Sequence, residues 1–542
     1  MTHFFSFVLA LFVTLVAIPA LSSRAGRLRL VDIPDERKVH TVAIPRCGGI
    51  AIAVGTAIPV LMWVPLDRTV TSYLLGAAII VAFGVWDDVV TLGYRWKLLG
   101  QTLAVAVVMA GGVTIEHLPL FGLDPAPQWL TIPLTVVFLL GITNAVNLFD
   151  GLDGLAGGCV LLTLSAVATL AYLGQGDPVT LIVVALAGSI FGFLRYNTHP
   201  ASVFMGDAGS QFLGFSTAVA TILLIEHCDQ ALNPGLALLV LGLPILDTVT
   251  VMVERVIAGR SPFAADRNHL HHKLLAVGFS HYEAVSLIYV VQAVMVLAGF
   301  GLRYESDAVV LSAFALISAS VLIPLLWLKS TGRRIRSEEP AVGVPMERRN
   351  LWLRQWTRLP DLTRNVVSGG VAAFMLVGAL APHRVSADVA VLAVCVVGLW
   401  LGARLLLRER STVIERMTVY LAAILAAYLV AKWQADAGTV RWLVGAYLIA
   451  LTAALVLAIR LTRRDLFQVT PQDLLILFLA FSIPNLSGDA FTELRIGETA
   501  IMLLVLFYAS EFVLTRSDRG WRGIEVMSVA TLGVIGIRGL LI

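Results

Sequence analysis

Apolar runs long enough to cross a lipid bilayer recur from Phe4 to Leu541, and no other feature limits the fold so tightly. A spanning helix takes about 20 predominantly apolar residues, and about eighteen runs approach that length. The first group lies near residues 4–22, 47–65, 69–86, 98–113, 130–147, 158–174, 178–194, 209–226, 233–254, 283–302 and 308–328. The second lies near 365–381, 387–403, 414–431, 440–459, 471–484, 498–515 and 524–541, with 471–484 the shortest. Composition agrees, with 58% hydrophobic and 14% charged residues, where a soluble domain carries about 25% charged. Too few polar side chains exist to cover a surface in water, so the solvent of this chain is lipid. The expected fold is an all-α, polytopic transmembrane bundle of about eighteen spans, an eleven-span core followed by about seven more.

Lysine and arginine set the orientation. With the N-terminus outside, loops after odd-numbered spans face the cytoplasm and hold most of the 39 basic residues. The longest hydrophilic stretch, 329–364, includes Arg333, Arg334, Arg348 and Arg349 and reads as a basic cytoplasmic linker. It divides a first domain, 1–328, from a C-terminal membrane domain, 365–542. The run from Phe4 to Leu21 lacks a basic segment before it and reads as a retained first span rather than a cleaved leader. Cys47, Cys159, Cys228 and Cys395 show no paired spacing, so neither a disulfide framework nor a thiolate metal site is expected.

Five polar clusters interrupt this apolar background, each in a loop after an odd-numbered span. Ionisable groups in a membrane cost about 2.5–3.5 kcal/mol each even on the mild insertion scale, so their convergence on one face needs a reason. The first runs from Asp32 to Gly49 and offers Arg37, Lys38, His40 and Arg46 as donors to phosphate. Alone it would pass for a positive-inside loop. The second is Asp87-Asp88, with Arg95 and Lys97 downstream; adjacent carboxylates are tolerable beside a divalent cation or where one stays protonated. In the third, Asn144, Asn147 and Asp150 are three apart and would share a helical face that Asp153 continues. No lysine or arginine lies in that loop, so its acids need a metal, a distant cation or water. An EF-hand is excluded because its ligand ladder and closing glutamate are missing.

The fourth cluster runs from Arg195 to Ser210 and includes Asn197, Phe204 and Asp207 between Gly206 and Gly209. Phe204 offers an aromatic face for a base, or plain core packing. The fifth includes Arg267, His269, His271, His272 and Lys273. Its histidine spacing cannot place all three on one helical face and no cysteine is near, so phosphate or sugar binding fits better than zinc.

Together, Asp87-Asp88, Asn144-x-x-Asn147-x-x-Asp150-Gly-x-Asp153-Gly-Leu-Ala, Phe204-Met-Gly-Asp207-Ala-Gly-Ser and His269-Leu-His-His272 resemble the polyprenyl-phosphate N-acetylhexosamine-1-phosphate transferase superfamily. The stretch from Ala265 to Leu275 is similar to its UDP-N-acetylglucosamine branch rather than to the branch that makes lipid I. The resemblance covers roughly residues 1–328, and the later spans have no counterpart in it.

The resemblance implies attack by a polyprenyl phosphate, such as undecaprenyl phosphate, on a UDP-sugar, with UMP leaving. It implies Mg²⁺, with Mn²⁺ as a substitute, held by Asp207 with Asp88. Asp87 would be base or orienter of the lipid phosphate, and Asp150 and Asp153 would position donor or metal. Asn144, Asn147, Asn197 and Phe204 would contact the nucleotide-sugar. Arg267, His269, His271 and His272 would bind sugar or phosphates, with Lys38 and Arg46 adding positive charge. The implied setting is the bacterial inner membrane, with a cytoplasmic active site feeding envelope polysaccharide. Dimerisation through lipid-facing helices is compatible with this picture; a nucleic-acid partner is not expected. The rival class, a membrane transporter or scaffold, would place its acids near the bilayer midplane rather than at one face.

Overall fold

The computed structural model describes residues 2–33, 43–118, 126–262, 268–331, 359–382, 385–406, 412–436, 438–461, 496–515 and 521–541. These fall into two compact units, one holding residues 2–331 and the other 359–541. Among the described residues, eleven helices are long and apolar enough to cross a membrane. The protein is thus a polytopic helical membrane protein. The count differs from about eighteen partly because some runs form shorter helices and partly because 471–484 lies outside the described residues.

In the first unit the helices are α1 (Thr2–Ser22), α2 (Gly48–Trp63), α3 (Arg68–Val90), α4 (Tyr94–Ala110), α5 (Gln128–Phe149), α6 (Leu155–Leu173) and α7 (Asp177–Asn197). They continue with α8 (Gly206–Leu223), α9 (Leu236–Val240), α10 (Gly242–Ile257), α11 (Leu270–Val277), α12 (His281–Gly301) and α13 (Asp307–Thr331). One short antiparallel ladder pairs β1 (Val31–Asp32) with β2 (Ile44–Pro45), Val31 facing Pro45.

Helix α8 is the axis of this unit: its apolar stretch is buried along its whole length, and α2, α3 and α5 pack around it. Small residues permit that approach, as they do between helices in lipid generally. A Cβ on Gly49 would lie 2.2 Å from the Gly209 nitrogen, and one on Gly84 would lie 2.4 Å from the Ala208 Cα.

The run 233–254 is not one span. It breaks at Leu241 into α9 and α10. A break leaves backbone groups without helical partners, which lipid cannot satisfy. Here α6 and α12 supply them: Thr163 Oγ1 (2.7 Å) and Gln292 Nε2 (2.8 Å) donate to the Val240 carbonyl, while Gln292 Oε1 accepts the Leu243 N–H at 3.2 Å. The partners come from distant helices, so the local sequence does not announce the break.

The second unit contains α14 (Leu359–Leu380), α15 (Ala387–Leu406), α16 (Thr412–Asp436), α17 (Gly438–Leu461), α18 (Ile496–Thr515) and α19 (Trp521–Leu541). Helix α14 packs against α16, α17 and α19, and α15 lies along α19. Arg538 on α19 donates to the carbonyls of Leu380 (2.8 Å) and Pro382 (2.6 Å), closing the end of α14. Glu511 on α18 accepts from Arg416 and Tyr420 of α16.

Candidate active site

The site begins where α3 ends and α8 starts. A helix N-terminus presents N–H groups with no intrahelical partner. At α8 the Asp88 side chain takes two of them, accepting from Asp207 N at 2.9 Å on Oδ1 and from Ala208 N at 3.1 Å on Oδ2. A carboxylate is also favoured there by the helix dipole. Gly206 makes this approach fit: its φ is +69°, and a Cβ would lie 2.5 Å from Asp88 Oδ2.

The neighbouring Asp87 points elsewhere. The chain turns through Thr91 (φ 57°) into α4, whose first turn carries Lys97. The Lys97 ammonium lies 2.5 Å from Asp87 Oδ2 and 2.8 Å from Asp207 Oδ2, so one cation joins the ends of α3, α4 and α8. The remaining oxygens are also engaged. Asp87 Oδ1 accepts the Leu92 N–H at 2.5 Å, and Asp207 Oδ1 accepts from Asn147 Nδ2 at 2.9 Å. Asn147 reaches Ser210 Oγ as well, at 2.7 Å. One turn deeper, Asn144 Nδ2 donates to Gln101 Oε1 (2.8 Å), and Gln101 Nε2 donates to Gln211 Oε1 (3.0 Å). The Asn144 amide therefore ties α5 to α4 and, through Gln101, to α8.

Helix α5 stops at Phe149, so Asp150 and Asp153 do not continue the face of Asn144 and Asn147. They sit in the following turn. Burial raises the Asp150 carboxyl to about 7, helped by the negative charges of Asp207, Asp153 and Asp88. Asp153 goes the other way. Burial would raise it, but hydrogen bonds from His199 Nδ1 (2.7 Å) and Ala201 N (3.0 Å) hold it below the usual carboxylate range. The local counter-group that the loop lacks in sequence is thus a histidine from the α7–α8 connection.

His199 stacks on His281, ring centroids 4.0 Å apart and planes inclined by 22°. Asp153, His199 and His281 bring ligand-type atoms within 4.8 Å of one another. Near-parallel rings do not aim their in-plane lone pairs at one ion, so the arrangement suits a stacked clamp better than a metal centre. His281 Nε2 lies 3.2 Å from the Asp153 carbonyl, Tyr289 Oη donates to the Gly154 carbonyl at 2.6 Å, and Tyr282 Oη donates to that of His199 at 2.9 Å. Asn197 completes the clamp, accepting from Gly154 N (2.9 Å) and donating to the Val203 carbonyl (3.0 Å).

The histidine segment enters from α11. His269 is buried, with Nδ1 2.8 Å from Asp247 Oδ2, while Asp247 Oδ1 accepts the Leu270 N–H at 2.6 Å. His271 is buried against the acid-bearing turn: a Cβ on Gly151 would lie 2.2 Å from its Nε2. Its Nδ1 has no hydrogen-bond partner among the described residues. Burial, with the nearby His272, lowers its pKa to about 3, so it is a neutral imidazole at physiological pH. His272 lies beside it, ring centroids 4.2 Å apart.

The first cluster reaches the site through its backbone. Gly48 N–H donates to the Phe204 carbonyl (3.0 Å), Gly49 N–H to that of Met205 (2.9 Å), and Phe204 N–H to that of Pro45 (2.8 Å). The Arg46 guanidinium pairs with Asp32 Oδ1 at 2.5 Å. Phe204 is half-buried. Lys38 and Arg267 lie outside the described residues.

Asp87, Asp207, Asn147, Asp150 and His271 thus meet at one end of the bundle. Sequence reasoning noted Lys97 but gave it no role, and it did not single out His281, Tyr282 or Tyr289. The Asp87 and Asp207 carboxylates suit Mg²⁺: they offer oxygen, and they already converge on a cation. Asp87 shares the Lys97 ammonium with Asp207, while each Asp88 oxygen accepts an N–H from the start of α8.

Lipid-length helices ending in a carboxylate–lysine centre define a polytopic membrane enzyme. The profile of glycosyl transferase family 4 matches residues 70–225. A probable undecaprenyl-phosphate N-acetylglucosaminyl 1-phosphate transferase of Bacillus subtilis is 32% identical over 324 residues, covering 59% of this chain and 90% of the relative. A decaprenyl-phosphate N-acetylglucosaminephosphotransferase of Mycobacterium leprae is 33% identical over 353 residues, covering 58% and 89%. An undecaprenyl-phosphate alpha-N-acetylglucosaminyl 1-phosphate transferase of Yersinia pestis is 29% identical over 284 residues, covering 51% and 77%. The chain belongs to glycosyl transferase family 4.

Proposed function

We propose that this protein transfers N-acetylglucosamine 1-phosphate from UDP-N-acetylglucosamine to a polyprenyl phosphate such as undecaprenyl phosphate, releasing UMP. The product is a polyprenyl-diphospho-sugar that starts an envelope polysaccharide at the cytoplasmic face of the inner membrane. The observation that carries this reading is the Asp87–Lys97–Asp207 bridge at the end of membrane helices, where a lipid headgroup can reach it. The names of the relatives support the same chemistry.

An oxygen of the lipid phosphate attacks the sugar-side phosphorus. The phosphoanhydride bond to UMP breaks as a new phosphoanhydride forms, so little driving force is available. The barrier is electrostatic, because two anions must meet, and positioned cations lower it. Bound at Asp207 and Asp87, Mg²⁺ would neutralise charge on the diphosphate. Lys97 supplies a further positive charge next to the reacting oxygens. Asp150, on the clamped turn, orients substrate beside neutral His271, and Phe204 offers its ring to the uracil. A lipid phosphate is largely ionised near neutral pH, so Asp87 need not remove a proton. The acids lie at helix ends rather than mid-helix, which favours a transferase over an ion pathway.

The reading is tested with purified protein, polyprenyl phosphate, Mg²⁺ and a panel of UDP-sugars. UMP should appear with UDP-N-acetylglucosamine and only in the presence of the lipid phosphate. UMP release with none of the sugars would refute the activity.

A further inference from the structure

The two facing carboxylates of the site each have one oxygen engaged by the protein. Asp87 Oδ1 holds Leu92 N, and Asp207 Oδ1 holds Asn147 Nδ2. The single remaining oxygen of each, Asp87 Oδ2 and Asp207 Oδ2, lies on the Lys97 ammonium at 2.5 and 2.8 Å. Asp88 is turned to the start of α8, where each of its oxygens accepts one N–H. A magnesium-sized ion needs its oxygens at about 2.0–2.1 Å, so it and the ammonium cannot occupy the same gap.

We propose that Lys97 is a built-in counter-ion that keeps a divalent cation off the Asp87–Asp207 pair until anionic substrate draws the ammonium away. This rests on the transferase reading above and concerns the enzyme before turnover. The geometry allows the exchange. The Lys97 side chain is about a third exposed, on a flexible four-carbon stem in the first turn of α4. The Asp87 side chain is 3% exposed, so a cation beside it offsets the cost of burying its charge. Phosphate oxygens arriving with substrate give the ammonium a new partner, and the freed carboxylate oxygens then accept the metal. Metal and substrate would therefore strengthen each other's binding, as reciprocal coupling requires.

The test is Mn²⁺ titration of the detergent-purified full chain without substrate, with free ion followed by electron paramagnetic resonance. Lys97→Met should bind Mn²⁺ roughly tenfold or more tightly than wild type, since a competing charge has gone. Lys97→Arg, which keeps the charge, should stay close to wild type. Unchanged or weaker binding by Lys97→Met would overturn the proposal, as would equal tightening by Lys97→Arg. A measurement on wild type guards against a variant that fails to fold. Saturating Mn²⁺ should increase labelling of Lys97 by an amine-reactive reagent, quantified by mass spectrometry. Unchanged or reduced labelling would overturn the proposal. Neither readout needs turnover, so a protein that behaves in this way yet releases no UMP would refute the transferase reading alone.

Discussion

The Asp88 carboxylate accepts the backbone N–H of Asp207 at 2.9 Å, so one acid fixes the helix end on which another acts. Adjacent Asp87 and Asp88 are tolerated because each has its own positive partner, Lys97 for the first and the start of α8 for the second. Asp88→Ala should destabilise the protein by about 0.5–2 kcal/mol, the usual loss of a helix cap. It should also lower transfer by releasing Asp207. Thermal unfolding in detergent together with the transfer assay checks this; an unchanged melting temperature would argue against the cap.

Gly206 should not accept a side chain. Its φ of +69° strains any L-residue, and a Cβ would press on Asp88 Oδ2. Gly206→Ala should therefore match or exceed the loss seen in Asp88→Ala. Wild-type activity in that variant would contradict the packing described at the start of α8.

Asp87→Asn and Asp207→Asn keep the size of each side chain and remove its charge. Each should cut transfer by at least about 100-fold, the scale on which loss of one electrostatic element slows a reaction. Yield and elution on size exclusion should stay near wild type. Full activity in either variant would refute its role.

His271 makes stability depend on pH with a definite sign. An unfolded histidine takes up a proton near 6.5, but in the folded protein burial and His272 lower this to about 3. Between those values the unfolded chain binds the additional proton, so this residue's contribution to stability falls as pH falls from about 6.5. Melting temperature should drop across that window, and less steeply in His271→Asn. Identical slopes would show that His271 is not held neutral.

The first unit should be sufficient for chemistry. The relatives align with 51–59% of this chain while being covered to 77–90% of their own lengths. A chain ending near residue 335 should keep transfer within a few-fold of full length. Its complete loss in a folded, monodisperse preparation would give the second unit a direct part in the reaction.

Much of the site was legible in the sequence because acids and amides are costly in lipid, and each cluster stood out against apolar runs. Asp87, Asn147, Asp150 and Asp207 were named from that contrast, and the structure gathers them at one end. What could not be read was how each side chain spends its hydrogen bonds. Asp88 caps a helix, Asn144 joins Gln101, and both ends of the Asn197 amide hold backbone. Apart from Val203, six residues from Asn197, those partners lie tens of residues away, and spacing within a motif carries no trace of them. Helical periodicity also carried Asp150 and Asp153 past the end of α5, which stops at Phe149 with Asp150 as its cap. The break at Leu241 was hidden for the same reason: Thr163 and Gln292 come from other helices. Lys97 was visible but unassigned, since only the turn at Thr91 brings α4 back onto Asp87.

The most direct measurement follows phosphorus rather than sugar. UDP-N-acetylglucosamine labelled at the phosphorus next to the sugar is incubated with the purified protein, polyprenyl phosphate and Mg²⁺. Sugar-1-phosphate transfer predicts label in the lipid product and release of unlabelled UMP in equal amount. Label remaining with a released UDP would show that sugar moves without phosphate, and the proposed chemistry would be wrong.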